Sequence, residues 1–430
     1  MAGAGNRGWT IVRPTAHALL LAAALVTLGG HAAGEELRDF PNLPPTREVA
    51  RLLADAPAIR AALAQRDAET ANRSRLEAGL HEWNLRAGSQ QRRVRPDNLP
   101  GERFSEWSAA LERPLLLPGK AGLDADIGQA GVALADTAIG DARHELSRFL
   151  LKSWFDWLRE SESLAQWTQQ VALLERQSAV VNRRQKLGDA AGIEAIQAEA
   201  ALAQARAQLA QASSREQAAL ATLQQRFPGL QAPVRTPLTE PETLSGDAEN
   251  WVARVLEHNH ELALAEGERT RAALLAERAR RERLPDPSVG VAWSRERGGE
   301  ENIVGAYISI PLPGGARSAA ADAAGAQQVA AGHRAGAVRQ KIAAEAAALF
   351  HSARAAVPAW QAARTAAQRL NESARLSERA YQLGEGNLSE LLASRRLANE
   401  AELAARTQQI EALALRYQLL LDTHQLWPLD

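Results

Sequence analysis

The 430-residue chain has no cysteine, which excludes disulfides, a thiolate metal site and the acylated cysteine that anchors a lipoprotein. Its one methionine is Met1, so it offers no thioether path for Cu(I). Aromatic residues make up only 4%, and the composition is unlike that of an ordinary globule. Net charge is -1, which gives no reason to expect nucleic acid or an acidic partner. No P-loop, Gly-x-Ser-x-Gly or His-Glu-x-x-His occurs, so neither catalysis nor a cofactor is expected. Long apolar runs are also missing, apart from Ala16 to Leu28. That run follows Arg7 and Arg13 and precedes Gly30, Ala32, Ala33 and Gly34, the order of a secretory signal peptide over residues 1–34. A membrane anchor is the alternative, but the run falls short of the roughly 20 residues needed to cross hydrocarbon.

The chain does contain a long-range repetition. Val49-Ala50-Arg51-Leu52-Leu53 returns as Val252-Ala253-Arg254-Val255-Leu256 at an offset of 203. Pro114-Leu115-Leu116-Leu117-Pro118-Gly119 returns in shortened form as Pro311-Leu312-Pro313-Gly314, its last Pro-Gly offset by 195. Gln185-Lys186-Leu187-Gly188-Asp189 returns as Tyr381-Gln382-Leu383-Gly384-Glu385 at 196. Three matches in the same order imply a duplicated unit, far longer than a solenoid repeat. The expected division is a first repeat over 35–230 and a second over 231–430.

Proline is absent between Pro118 and Pro228, and the pattern there is helical except near 187–192. A helix from Leu123 to Lys186 would be about 100 Å long and must bury its stripe against other long helices. Ile193, Ile196, Ala200, Ala203, Ala207 and Ala210 are spaced three and four apart as a heptad seam on the return helix. In the second copy Leu403, Ile410, Leu413, Tyr417 and Leu420 form the stripe, with a helical turn near 383–388. Pro358 has no counterpart in the first copy and predicts a kink or break.

Each helical pair follows strand-like sequence, at Gly79 to Arg86, Phe104 to Glu112, Ser288 to Arg295 and Ile303 to Ile310. The clearest alternation puts Val304, Ala306, Ile308 and Ile310 on one face and Gly305, Tyr307 and Ser309 on the other. Gly88 to Arg103 and Glu296 to Asn302 read as polar loops, the first longer, which accounts for the fall in offset. Trp83, Trp107, Trp293 and Tyr307 supply one aromatic to each strand. They either fill a small sheet core or form a membrane-interface girdle; in the second case closure needs several chains, because spanning barrels begin at about eight strands.

The signal-like N-terminus, the duplicated strand-pair and helical hairpin, the Pro-Leu-Pro-Gly-like turns and the Leu-Gly-(Asp/Glu) at each helical tip together resemble the TolC-type outer-membrane efflux channels, over essentially the whole mature chain. The resemblance implies a mainly α fold with a small β part. Three chains would form a homotrimer with a 12-stranded transmembrane β-barrel in outer-membrane lipid, continued by a periplasmic α-helical barrel. It further implies a passive duct of a tripartite efflux system in a Gram-negative bacterium, joined to a periplasmic adaptor and an inner-membrane pump of the RND type. Heavy-metal cations are one cargo class within the family. A duct for type I protein secretion is the alternative; a periplasmic adaptor or coiled-coil scaffold fits less well, because neither calls for the duplication with paired strands.

Within that resemblance, Asn387-Leu388-Ser389-Glu390-Leu391-Leu392 matches the inner tip of the channel. Glu390 falls on an acidic constriction position, Ala393 replaces a second one, and Glu194 is the equivalent of Glu390 in the other copy. A ring of carboxylates in a narrow pore attracts cations; a solvated glutamate favouring a helix N-terminus is the plainer alternative. Arg395 and Arg396 are candidates to pair with neighbouring helices and hold the tips closed, or else are surface charges worth under about 1 kcal/mol each. His258, His260 and Glu261 carry metal-compatible groups, but on one continuous helix residues two apart point about 200° apart. No metal site is expected.

Overall fold

The computed structural model describes residues 38–79, 81–95, 97, 100–231 and 235–427; the signal-peptide expectation lies outside them. Residues from Asp39 onward form one unit. Its elements run α1 (Thr46–Ala54), α2 (Pro57–Ala78), β1 (Asn84–Val94), β2 (Glu102–Pro114), α3 (Lys120–Lys186) and α4 (Gly192–Arg226). The same order follows again as α5 (Ala248–His258), α6 (His260–Arg281), β3 (Ser288–Glu296), β4 (Glu301–Ser309), α7 (Gly315–Leu383) and α8 (Leu388–Asp422). At 67 and 69 residues, α3 and α7 each reach about 100 Å.

Local chemistry sets the helix ends. Asp247, Asn259 and Asn387 cap α5, α6 and α8, their side chains accepting from the amides of Asn250, Leu262 and Glu390 at 2.9, 2.8 and 2.8 Å. Pro57 starts α2, where its missing amide hydrogen costs nothing. Gly188 and Gly384 take left-handed backbone at the ends of α3 and α7, with φ of 81° and 77°. The turns they open, 187–191 and 384–387, form the two hairpin tips. α7 runs through Pro358 without a break, so of the predicted kink or break the break does not occur; Ala356, Val357 and Trp360 around it are buried, and this packing offsets the lost backbone bond.

The four strands form one antiparallel sheet in the order β1-β2-β3-β4, leaving β1 and β4 as its two edges. Here the sequence expectations need correction. β1 begins at Asn84, so residues 79–83 precede it and Trp83 stands just outside the strand. Most of the expected loop from Gly88 onward is strand, pairing Gly88 with Ser108 and Val94 with Glu102. The first hairpin is longer both in its strands, 11 and 13 residues against 9 and 9, and in the connection between them, 95–101 against 297–300.

The largest apolar cluster lies where α1, α3, α4 and α8 meet, around Leu150, Phe155, Leu223, Ile410, Leu413 and Tyr417. A second joins Trp251 and Val255 of α5 to Ile342 and Phe350 of α7 and Leu419 of α8. Between α4 and α5, the connecting segment is strapped down by ion pairs. Arg235 of this segment and Arg406 of α8 share the buried Glu162 of α3 at 2.6 and 2.8 Å, and Arg416 pairs with Glu242.

On α4 the seam that packs within the chain is Ala195, Ala198, Ala205 and Ala212, all buried. Ile193, Ile196, Ala200, Ala203, Ala207 and Ala210 are all exposed, so the predicted heptad seam lies on a face that this chain leaves open. The His-Asn-His-Glu segment also departs from expectation. Asn259 is extended, with φ -78° and ψ 115°, and separates α5 from α6, so His258 and His260 do not belong to one continuous helix.

Candidate functional site

Two regions carry the candidate residues, the sheet and the hairpin tips. The pairing register assigns every strand residue to a face, because directly opposed residues share one. Asn84, Glu112, Gly290 and Tyr307 stand in one row, and with them Arg86, Gln90, Arg92, Glu106, Ser294 and Glu296 make one face polar. Arg92 bridges Glu106 at 3.1 Å and Glu296 at 2.8 Å, and Gln90 donates to Glu106 at 2.8 Å. The opposite face carries Leu85, Ala87, Ala109, Leu111, Val289, Val291, Val304, Ala306 and Ile308, with Leu85, Val291, Val304 and Ile308 exposed. So extended an uncovered apolar surface marks a contact with something other than water.

The aromatic residues divide between these faces. Trp107 and Trp293 lie on the apolar face, since Trp107 opposes Arg295 and Trp293 opposes Ala109; they are 58% and 40% exposed. Trp83, 60% exposed, stands at the sheet's helical end with the Arg113 guanidinium 5.5 Å from its ring centre. From the level of Trp83 to that of Trp107 is about 20 Å along the strand. Tyr307 does not belong to this set. Its ring crosses Gly290, where an added Cβ would come within 2.5 Å of the ring, and its hydroxyl donates to Glu112 at 2.9 Å on the polar face.

Where sheet meets helices, Glu282 accepts from Arg278 and Arg317, each at 2.5 Å, and lies 3.2 Å from the buried Lys120 ammonium. Burial alone would raise its carboxyl, but these three cations outweigh it and hold the group down at about 2. Lys120 also reaches Asp286 at 2.9 Å and the Leu284 carbonyl at 2.7 Å, so the start of α3 is fixed to the entry of β3.

At the far ends of α3 and α7 the two hairpin tips pack together through Val181, Ala195, Ala198, Tyr381, Leu388 and Leu391. Glu194 accepts a 3.0 Å hydrogen bond from the Tyr381 hydroxyl, and Ser389 donates to Gln197 at 3.2 Å. The Arg184 guanidinium stands 5.3 Å from the centre of the Tyr381 ring and pairs with Asp189 at 2.8 Å. Burial, followed by the bond to Glu194, raises the Tyr381 hydroxyl pKa, so it remains a donor. Glu390 is exposed in the first turn of α8 and does not meet Glu194 within one chain. Arg395 pairs with Glu378 of α7 at 2.5 Å and is largely covered. Arg396 lies 3.9 Å from Glu400 on its own helix, and both are exposed. Tyr381, Glu378 and Arg184 were not among the sequence candidates. Tyr381 belongs to the repeated tip sequence, but only the packing shows which face of α7 meets the other hairpin.

No family model matches the chain, and no curated protein matches it. Solved structures do. A membrane protein from Pseudomonas aeruginosa superposes with TM-score 0.74 at 19% identity, covering 89% of this chain and 90% of that one. The CmeC outer membrane channel of Campylobacter jejuni gives 0.72 at 14%, covering 89% and 85%. The MtrE outer membrane channel of Neisseria gonorrhoeae, in its open state, gives 0.67 at 19%, covering 89% of each. The chain therefore has the fold of these channels along nearly its whole length.

Proposed function

From this fold we propose that the chain is one protomer of an outer-membrane efflux channel, a passive duct with its sheet in the bilayer and its helical hairpins in the periplasm of a Gram-negative cell. The observation that carries the reading is the sheet. It has one apolar exposed face, one charged face and two free edges, and it continues into hairpins of about 100 Å. Four strands cannot close on themselves, since spanning barrels begin at about eight; copies of the chain supply the missing strands, and three copies give twelve. Residues 35–230 and 231–430 then serve as two repeats of one unit, each placing two strands in the barrel and one hairpin in the tunnel. Among the described residues no helix is long and apolar enough to cross a membrane, so the sheet is the element we assign to the bilayer.

In this arrangement Trp83, Trp107 and Trp293 mark the levels of the lipid headgroups on the outer face, and the Arg92, Glu106 and Glu296 network lines the lumen. The tips form the periplasmic gate. Tyr381, Glu194, Arg395 and Glu378 join neighbouring helices there, and Glu390 contributes one carboxylate per chain to the entrance. Energy comes from an inner-membrane pump of the RND type through a periplasmic adaptor, and heavy-metal cations are the cargo class we favour. The test is extraction and reconstitution. The protein should leave outer membranes only in detergent, migrate as a heat-sensitive trimer and produce discrete conductance steps in planar bilayers. A water-soluble monomer without channel activity would overturn the proposal.

A further inference from the structure

Four of the nine histidines gather at one place that the duct reading does not use. The ring of His424, just beyond α8, lies with its centre 5.1 Å from that of His258, 5.1 Å from that of His260 and 5.8 Å from that of His144 on α3. His144 and His260 are 6.1 Å apart. Three segments distant in sequence thus meet through imidazoles. The break at Asn259 makes this possible, since it frees His258 and His260 from the opposed directions that a continuous helix would impose.

The surroundings make room for these rings. Gly140 lies one turn before His144, and a Cβ there would come within 2.5 Å of the His260 ring as placed, so glycine makes room for that ring against α3. His424 has φ of 54°, in the left-handed region where the corresponding end of α7 has Gly384. A histidine there costs about 1 kcal/mol against glycine. His144 is 3% exposed; its Nε2 is buried without a hydrogen bond and stands 3.5 Å from Asp422 Oδ1. The same Asp422 oxygen accepts from Arg148 Nε at 2.9 Å; brought to hydrogen-bond distance of His144, such a carboxylate would orient a metal-binding histidine.

The duplication supplies an internal control. At the repeat offset of 203, His258 and His260 correspond to Asp55 and Pro57, which flank the equivalent break between α1 and α2. At 196, His424 corresponds to Pro228, just past the end of α4. The same helix ends are thus built in the other repeat without histidine, so the fold does not account for the cluster.

We propose that His144, His258, His260 and His424 bind one divalent transition-metal ion of the zinc class, tying the end of α8 to α3 and to the α5–α6 junction. Two imidazoles on one tetrahedral zinc, at Zn–N of about 2.0–2.1 Å, have ring centres about 5 Å apart, which the two 5.1 Å spacings to His424 match and the 5.8 and 6.1 Å spacings of His144 exceed. Among the described residues no group of three such side chains is placed to hold a metal ion as the rings stand; binding requires the imidazoles around His424 to turn toward a common point. Access is through exposed His258 and a cleft of about 450 Å3 bordering His144. The cleft carries Asp141, Glu145, Glu261 and Glu345 against Arg148 and Lys341, an excess of carboxylates that favours cations. Burial and the neighbouring Glu145 raise the Asp141 carboxyl, as expected of crowded acids. The site is about 65 Å along α3 from the hairpin tip, and the proposal does not depend on the transport reading.

Zinc chloride titrated by calorimetry into untagged, chelator-stripped full-length protein in detergent, at about pH 7.5, tests the proposal. Saturation at one ion per chain is expected, with a rise in the thermal unfolding midpoint and weaker binding at about pH 6, where protons compete for the imidazoles. The double variant His258→Asn, His424→Gly keeps an exposed polar group and a left-handed residue in place, so it should fold normally and bind zinc at least about tenfold more weakly. Equal zinc affinity in the double variant would overturn the site. So would a wild-type midpoint that responds to pH but not to zinc, which would assign the cluster to protons alone.

Discussion

Tyr381 and Glu390 occupy the same helical tip, and they show how differently two residues of the proposed gate are encoded. Glu390 could be singled out because the run from Asn387 to Leu392 matches the inner tip in the family resemblance; the structure adds that Asn387 caps α8 and places Glu390 in its first turn. Tyr381 was visible only as part of a repeated turn, and its partner Glu194 is 187 positions away in sequence; no local pattern links them. The Tyr381 bond is worth about 0.5–1.5 kcal/mol, in the range of a contact that thermal motion or an adaptor can release. Tyr381→Phe should therefore leave folding intact, because the apolar tip cluster keeps its ring, while raising the open time or conductance measured in planar bilayers. Glu390→Ala should instead lower the preference for cations at similar conductance. If neither variant alters conductance or ion preference, the gate lies elsewhere. Arg396 serves as the comparison: its exposed pair with Glu400 is worth a few tenths of a kcal/mol, and Arg396→Ala should change nothing measurable.

At the scale of elements, the long hairpin helices were legible, whereas α2 and α6 and the partners of the long helices were not. The absence of proline and the spacing of apolar residues pointed to α3 and α4. The six-residue seam on α4 was also a real pattern, but periodicity cannot say which chain covers it. The structure packs α4 against α3 through a stripe two residues away, and Ile193 and Ile196 remain 59% and 64% exposed. In the proposed trimer that exposed stripe would meet a neighbouring chain. Ile193→Lys with Ile196→Lys should therefore leave the protomer's helical circular dichroism unchanged while shifting its mass in detergent from trimer toward monomer; a stable trimer would show that the stripe faces solvent. β1 was the element misread, for a physical reason. Its upper half, Gly88-Ser89-Gln90-Gln91-Arg92-Arg93, is polar on both faces, so the period-two signal vanishes. That half lies beyond the apolar band, where neither face requires hydrocarbon side chains. In β3 and β4 the band covers more of each strand, and the alternation survived.

At the scale of the whole molecule, the decisive feature is an open sheet whose edges need partners. Among the described residues β1 and β4 each have a strand on one side only, and an uncovered edge is a liability that proteins rarely leave exposed. If β4 of one chain pairs with β1 of the next, the number of chains follows from closure, and the cysteine-free sequence permits a clean test. Ala87→Cys on β1, combined in turn with Val304→Cys, Ala306→Cys or Ile308→Cys on β4, places both thiols on the outer face while sampling the unknown register. In membranes, mild oxidation of the pair in register should give a non-reducing ladder of one, two and three chains that stops at three, because closing a ring consumes every edge. A ladder continuing past three would mean a larger ring or open polymer, and oxidation within single chains would mean that the sheet closes on itself. Either outcome would remove the trimeric barrel. A ladder ending at three would instead show that four strands per chain, too few alone, become a membrane wall by association.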